Sequence, residues 1–123
     1  MKKYIFLAFT NPTEGREEEY NRWYDTQHLA DVINVPGFVA AHRFRLAPAR
    51  FQFDTKAQEH RYLALYEIET DDIAAVMKEL ASRVGTPEVL MTDAIDMSTL
   101  DAPIFEKITE RVDAADVRRA RKG

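Results

Sequence analysis

Apolar and polar positions alternate along RYLALYEIE, Arg61 to Glu69, with Tyr62, Ala64, Tyr66 and Ile68 on one side and Leu63, Leu65 and Glu67 on the other. A period of two is that of a strand, whose side chains point to opposite faces in turn. The same period recurs in FVAAHRFRL after Gly37, which puts Phe38, Ala40, His42, Phe44 and Leu46 on one face and Val39, Ala41, Arg43 and Arg45 on the other. The short apolar run from Lys3 to Phe9 predicts a further strand, ended by the breaker pair Asn11-Pro12. After Pro103, IFEKITERV alternates again and supplies the last strand.

Two stretches follow the helical period instead. Ile73, Val76, Met77, Leu80 and Val84 recur at three- and four-residue steps, with Thr70-Asp71-Asp72 as the cap and Gly85 and Pro87 closing the helix. Earlier in the chain, Tyr20, Trp23, Tyr24, Gln27, His28, Asp31 and Asn34 form one broad inward stripe. Thr13 is a candidate cap for that helix, and Glu17-Glu18-Glu19 place acidic groups at the positive end of its dipole. Pro36 and Gly37 end it at about Val35. Residues 47–59 contain Pro48 and many polar residues but also Phe51 and Phe53, and read as a lid or a strand extension. Residues 88–100 read as a short helix or turn packed over the core.

The order βαββαβ is ferredoxin-like: an α+β fold with an antiparallel sheet and both helices on one face. The other face then lacks cover. Ile5, Leu7 and Phe9, or the alternate set, need a partner, and sheet-on-sheet packing of a homodimer provides one.

At 123 residues, 46% apolar and 31% charged, the chain predicts one domain over 1–112, followed by a basic tail, 113–123, whose RRARK run reads as solvated and poorly ordered. No apolar run approaches the roughly 20 residues of a membrane span. Met1-Lys2-Lys3 and YIFLAF lack a small-residue cleavage site, so the expected location is cytoplasmic. The absence of cysteine removes disulfides, thiolate metal sites and thiol nucleophiles. A net charge of −4 argues against a nucleic-acid partner.

The inward stripe carries more polarity than a core needs. A buried amide, imidazole or carboxylate without a partner costs roughly 1–3 kcal/mol, so something polar is expected opposite it. His28 is the candidate general acid or base, because imidazole alone has an unperturbed pKa near neutrality; a histidine bonded to neighbouring polar groups would fit the same pattern. Tyr24, one turn earlier, could orient that imidazole, donate to a developing enolate oxygen, or simply fill the core. Trp23 could wall a flat substrate or pack. Asp31 and Gln27 share the stripe, with Asp31 a candidate third catalytic group. Arg43 would suit an anionic substrate or an interface, Tyr62 and Tyr66 share a strand face that could line the pocket, and His60 reads as solvated. No Gly-rich phosphate loop, HExxH or GxSxG signature is present. No metal site is expected, since Asp25 lies about 60° from His28 and about 120° from Asp31 around a helix.

Trp23-Tyr24, His28 four residues on, and Pro36-Gly37 opening a strand, together with Asn11, Pro12, Gly15 and Arg43, resemble the dimeric α+β barrel superfamily and, within it, the EthD-like group. The match covers the first half of the chain well and the rest by element order. The resemblance implies a homodimer of ferredoxin-like subunits, each with a small-molecule pocket between its helices and sheet. Relatives include cofactor-free polyketide cyclases, decarboxylases, dehydratases and isomerases, quinol-forming monooxygenases and haem-degrading enzymes. The expected function is acid/base chemistry without a cofactor on a small aromatic or polyketide-like carbonyl compound, of lyase, isomerase or dehydratase type. The alternatives are a monooxygenase or haem-binding relative, with His28 an axial ligand, and a non-catalytic binding or accessory protein.

Overall fold

The alternating stretch after His60 lies at the middle of the sheet. In the computed structural model, which describes residues 1–123, β3 (Tyr62–Thr70) pairs antiparallel with β2 (Phe38–Arg45) on one side and β1 (Lys2–Pro12) on the other. The free edge of β1 is covered by two short strands, β4 (Ile95–Asp101) against residues 9–12 and β5 (Ile104–Glu106) against residues 4–6. The order β2-β3-β1-β4, antiparallel throughout, is ferredoxin-like. The helices α1 (Glu17–Trp23), α2 (Leu29–Ile33) and α3 (Ile73–Arg83) cover one face. Tyr20, Tyr24, Val32, Val35, Val76 and Leu80 are buried there, together with Ala8, Thr10, Tyr62, Ala64, Tyr66 and Ile68 from β1 and β3.

Several elements depart from what their sequence predicts. Asn11-Pro12 do not end β1; they pair with Asp96 and Ile95 beyond a bulge, where the missing N–H of a proline does little harm. The Asn11 side chain is also employed, donating to the Glu59 carbonyl at 2.8 Å and accepting from the Arg61 N–H at 2.8 Å. Thr13 is not the helix cap. Its hydroxyl donates to the Asp93 carbonyl at 2.6 Å, and Arg16 occupies the cap position.

Between α1 and α2 the helix widens into a π turn, Tyr24–His28, where the Leu29 N–H reaches back five residues to the Tyr24 carbonyl. The extra residue advances the inward face. Leu29, Val32 and Val35 therefore take the core positions beyond Tyr24, while Asn34 is exposed. In β2 a bulge between Phe38 and Ala40 shifts the phase in the same manner, so that Phe38, Ala41 and Arg43 face the helices.

Gly37, at φ +103, has two reasons to be glycine: the left-handed backbone, and a Cβ that would lie 2.8 Å from Val76. Residues 47–59 add no strand; they form an irregular exposed loop in which Phe51 and Phe53 meet edge to face. Residues 88–100 form a turn followed by β4 rather than a helix, and the predicted last strand is reduced to Ile104–Glu106. The C-terminal residues form a helix, α4 (Ala114–Lys122), exposed along its length apart from Val117.

Candidate functional site

Where the π turn meets the sheet, the core is incompletely filled. A cavity of about 120 Å³ lies between the helical layer, α3 and the β1/β4 side of the sheet. Phe6, Ala8 and Thr10 of β1 and Tyr66 of β3 form its floor, and Tyr24, His28 and Val32 one wall. Leu80 and Val84 of α3 and its C-terminal end, with Met91, Met97 and Leu100, form the other. An apolar cavity of about 150 Å³ accommodates benzene, so this one matches a small ring or a short aliphatic chain.

Two of the residues that line it carry a buried polar atom with no partner. Tyr66 Oη and His28 Nδ1 are buried and make no hydrogen bond. Each such group costs on the order of 1–3 kcal/mol, so native cores seldom leave two around one space. Burial raises the Tyr66 pKa far above its ordinary value, and neighbouring Tyr24 raises it further without a bond of acceptable geometry between the two hydroxyls. Tyr24 is pushed up to about 12, again chiefly by burial. Both phenols are neutral donors at any physiological pH. His28 goes the other way: burial disfavours the imidazolium and brings the pKa down to about 4, with Asp31 opposing and Arg43 adding to the effect. The cavity therefore offers a neutral imidazole facing neutral phenols.

The remaining sequence candidates do not line the cavity; they brace it. Trp23 stacks on the His28 ring at 4.3 Å between centroids and donates its indole N–H to the Leu90 carbonyl at 3.0 Å. Asp31 accepts from Gln27 Nε2 at 2.8 and 2.9 Å and from the Leu90 N–H at 3.1 Å. Trp23, Gln27 and Asp31 thus clamp the segment that carries Met91 over the cavity.

Arg43 lies on the outer side, its guanidinium 4.4 Å from the Tyr24 ring centroid and 5.4 Å from those of Tyr20 and Tyr62. It donates to Asp25 at 2.6 Å and to Asn21 at 2.8 Å, so these hydrogen bonds are made outside the cavity. The Tyr62 hydroxyl donates to Glu17, and that bond together with Arg61 holds the Glu17 carboxyl below its usual range. His60 is not simply solvated: its Nε2–H donates to the Thr99 carbonyl at 2.6 Å and its ring leans on Phe9.

No group of three or more His, Asp or Glu side chains converges with the geometry of a metal site. Wider hollows exist, one of about 440 Å³ beside Asn21, Asp25, Arg43 and Arg45, but Arg43 is already paired there. Phe6, Thr10, Val84, Met97 and Leu100 were missed by sequence reasoning as cavity residues. The alternation of β1 could have identified Phe6 and Thr10, and the apolar spacing of α3 Val84; nothing local marks Met97 and Leu100.

No helix is long and apolar enough to cross a membrane. No protein-family model and no curated protein matches the chain. Among solved structures it is similar to an EthD family protein from Bacillus halodurans C-125, at 13% identity and a TM-score of 0.48, over 88% of this chain and 100% of that one.

Proposed function

We propose that the chain is an enzyme acting without a cofactor, by acid/base chemistry on a small carbonyl compound of aromatic or polyketide-like type. The observation that carries this reading is that two residues lining one apolar cavity, Tyr66 and His28, each keep a buried polar atom without a partner, Oη and Nδ1. A carbonyl oxygen accepting from the Tyr66 hydroxyl would satisfy that donor. The His28 imidazole then takes a proton from the adjacent carbon, and the enolate charge settles on the oxygen held by Tyr66. The imidazolium returns the proton to another carbon in an isomerase, or to a departing hydroxyl in a dehydratase. Tyr24 shapes the wall, and Trp23, Gln27 and Asp31 position the Leu90 segment. The cavity volume does not favour a porphyrin beside His28.

A binding-only role draws on one observation: an imidazole with a pKa of about 4 is a weak base. Proton washout separates the two readings. In deuterium oxide, wild-type protein should speed loss of the α-protons of a small methyl ketone over buffer alone, and His28→Ala should lose on the order of 10²–10⁴ of that rate while keeping its circular dichroism spectrum. Washout no faster than buffer, or equal in His28→Ala, overturns catalysis by His28.

The assembly we propose is a homodimer packed through the uncovered sheet face. Ile5, Leu7, Phe9, Leu63, Leu65 and Phe44 lie there without helical cover, Phe44 being 46% exposed. A patch of this kind on a sheet is the usual mark of an interface, and a second copy presents the same face by two-fold symmetry.

A further inference from the structure

We propose that the cavity selects an uncharged ligand bound with its polar end inward and its apolar end emerging between α3 and β4. The proposal rests on the cavity being a ligand site, the reading that underlies the proposed function, and adds the chemical class and orientation of what it takes. None of its 14 lining residues is an Asp, Glu, Lys or Arg. Arg43, which stacks on the Tyr24 ring, is only 12% exposed and paired with Asp25 and Asn21, and Arg83, next to Val84, is paired with Glu79 and Glu88. An anionic head would enter without a countercharge, and desolvation of an unpaired ion outweighs what two neutral hydrogen bonds return. A carbonyl or hydroxyl head meets no such penalty and satisfies buried groups that otherwise have nothing.

Orientation follows from the distribution of polarity and exposure. The unpartnered atoms belong to Tyr66 and to the π turn, on the inner side. Val84, Met97 and Leu100 belong to the same cavity yet are 42%, 48% and 44% exposed, so they form its mouth. An apolar mouth left open to water is covered at a gain by the aliphatic end of a ligand, and Met97 adapts readily to chains of different shape. A cavity of about 120 Å³ holds the head and only a few carbons. The rest of a longer molecule must pass this rim.

The chain has one tryptophan, Trp23, stacked on His28, so its fluorescence reports occupancy of the inner end. Three probes of equal chain length decide the matter on the wild-type protein: methyl hexyl ketone, the corresponding α-keto acid with a carboxylate beside the carbonyl, and the ketone carrying a carboxylate at its far end. The neutral ketone should bind, with affinity rising about fourfold per methylene from methyl ethyl ketone until the tail clears the rim. The α-keto acid should bind on the order of a hundredfold more weakly, and the far-end carboxylate within about threefold of the neutral ketone. Equal binding of the α-keto acid overturns charge selection and leaves the ligand site standing. Exclusion of the far-end carboxylate as well overturns the orientation, and shows the mouth to be closed in solution. No response to any probe, in fluorescence or thermal shift, overturns the ligand site itself and this proposal with it.

Discussion

The two faces of the sheet each depart in one respect from the usual placement of polarity. Toward the helices, where burial is nearly complete, β1 and β3 carry Thr10, Tyr62 and Tyr66, and Tyr66 keeps a hydroxyl with no partner. On the open face the same strands carry Ile5, Leu7, Phe9, Leu63 and Leu65, all without helical cover. Thr10 and Tyr62 are bonded to Tyr20 and Glu17, so among the three the cost inside falls on Tyr66 alone, while the cost outside is that of large apolar side chains without cover. Each face is accounted for by one of the proposed components: a small polar-headed molecule on the inner one, a second copy on the open one.

The largest effect expected on this contrast comes from Leu65→Lys. In an isolated subunit a lysine on a sheet face reaches water with little strain. A two-fold interface would instead bury two unpaired ammonium groups, and an uncompensated buried charge costs on the order of 3–5 kcal/mol. Light scattering should give about twice 14.2 kDa for wild type and a single-subunit mass for the variant. A wild-type mass near 14.2 kDa would remove the open face from the argument.

A smaller effect is expected from pH. The folded pKa of His28, about 4, lies below the unfolded value near 6.5, so the unfolded chain binds the extra proton first. Stability from this group is complete above pH 6.5, declines as pH falls toward 4, and changes no further below. The imidazole retains some solvent access, so the loss should be on the order of 1–3 kcal/mol. Urea titrations of wild type and His28→Gln at about pH 7 and about pH 4.5 isolate it: the two proteins should differ less at the lower pH. Parallel behaviour would mean that His28 is not held neutral by burial.

Smaller again, and opposite in sign to most core changes, is Tyr66→Phe. It keeps the ring that stacks on Phe6 at 5.6 Å and removes a buried hydroxyl that pairs with nothing, so stability should rise by about 1 kcal/mol while ligand binding falls. A loss of stability would show the hydroxyl to be bonded in the empty protein.

How much of this was legible in the sequence depends on whether the controlling interaction is local. The alternation of β3 and the apolar spacing of α3 each follow from side chains a few residues apart, and both elements stand where the pattern put them. Tyr24, His28 and Tyr66 reached the cavity for the same reason. The π turn and the bulge in β2 each add one residue to a period, and no propensity within Tyr24–His28 or Phe38–Ala40 announces them. Their consequence is large: Asn34 turns outward and Arg43 turns in. The roles of Asp31, Gln27 and Trp23 as clamps depend on Leu90, which comes from across the fold. The appearance of β4 within 88–101 and the shortening of the predicted last strand to Ile104–Glu106 likewise answer to the edge of β1 rather than to local pattern.

The smallest effect should come from the C-terminal segment, and it bears on how bare the open face is. The α4 charges pair close by, Asp116 with Arg119 and Asp113 with Arg111, and such exposed pairs contribute little. Only Val117 is partly covered. Deleting residues 114–123 should therefore change stability by no more than about 0.5 kcal/mol and leave the mass in solution unaltered. Nine helical residues have little stability without packing, so α4 gains something if it docks. Apolar company is near, because Ile108 is 89% and Val112 77% exposed in the segment leading to it. A drop of several degrees that depends on protein concentration would place this arm against the second subunit, and part of the apolar face assigned to sheet-on-sheet packing would belong to the arm instead. A drop independent of concentration would place it on its own subunit. An unchanged melting curve keeps the contrast between the two faces of the sheet as drawn.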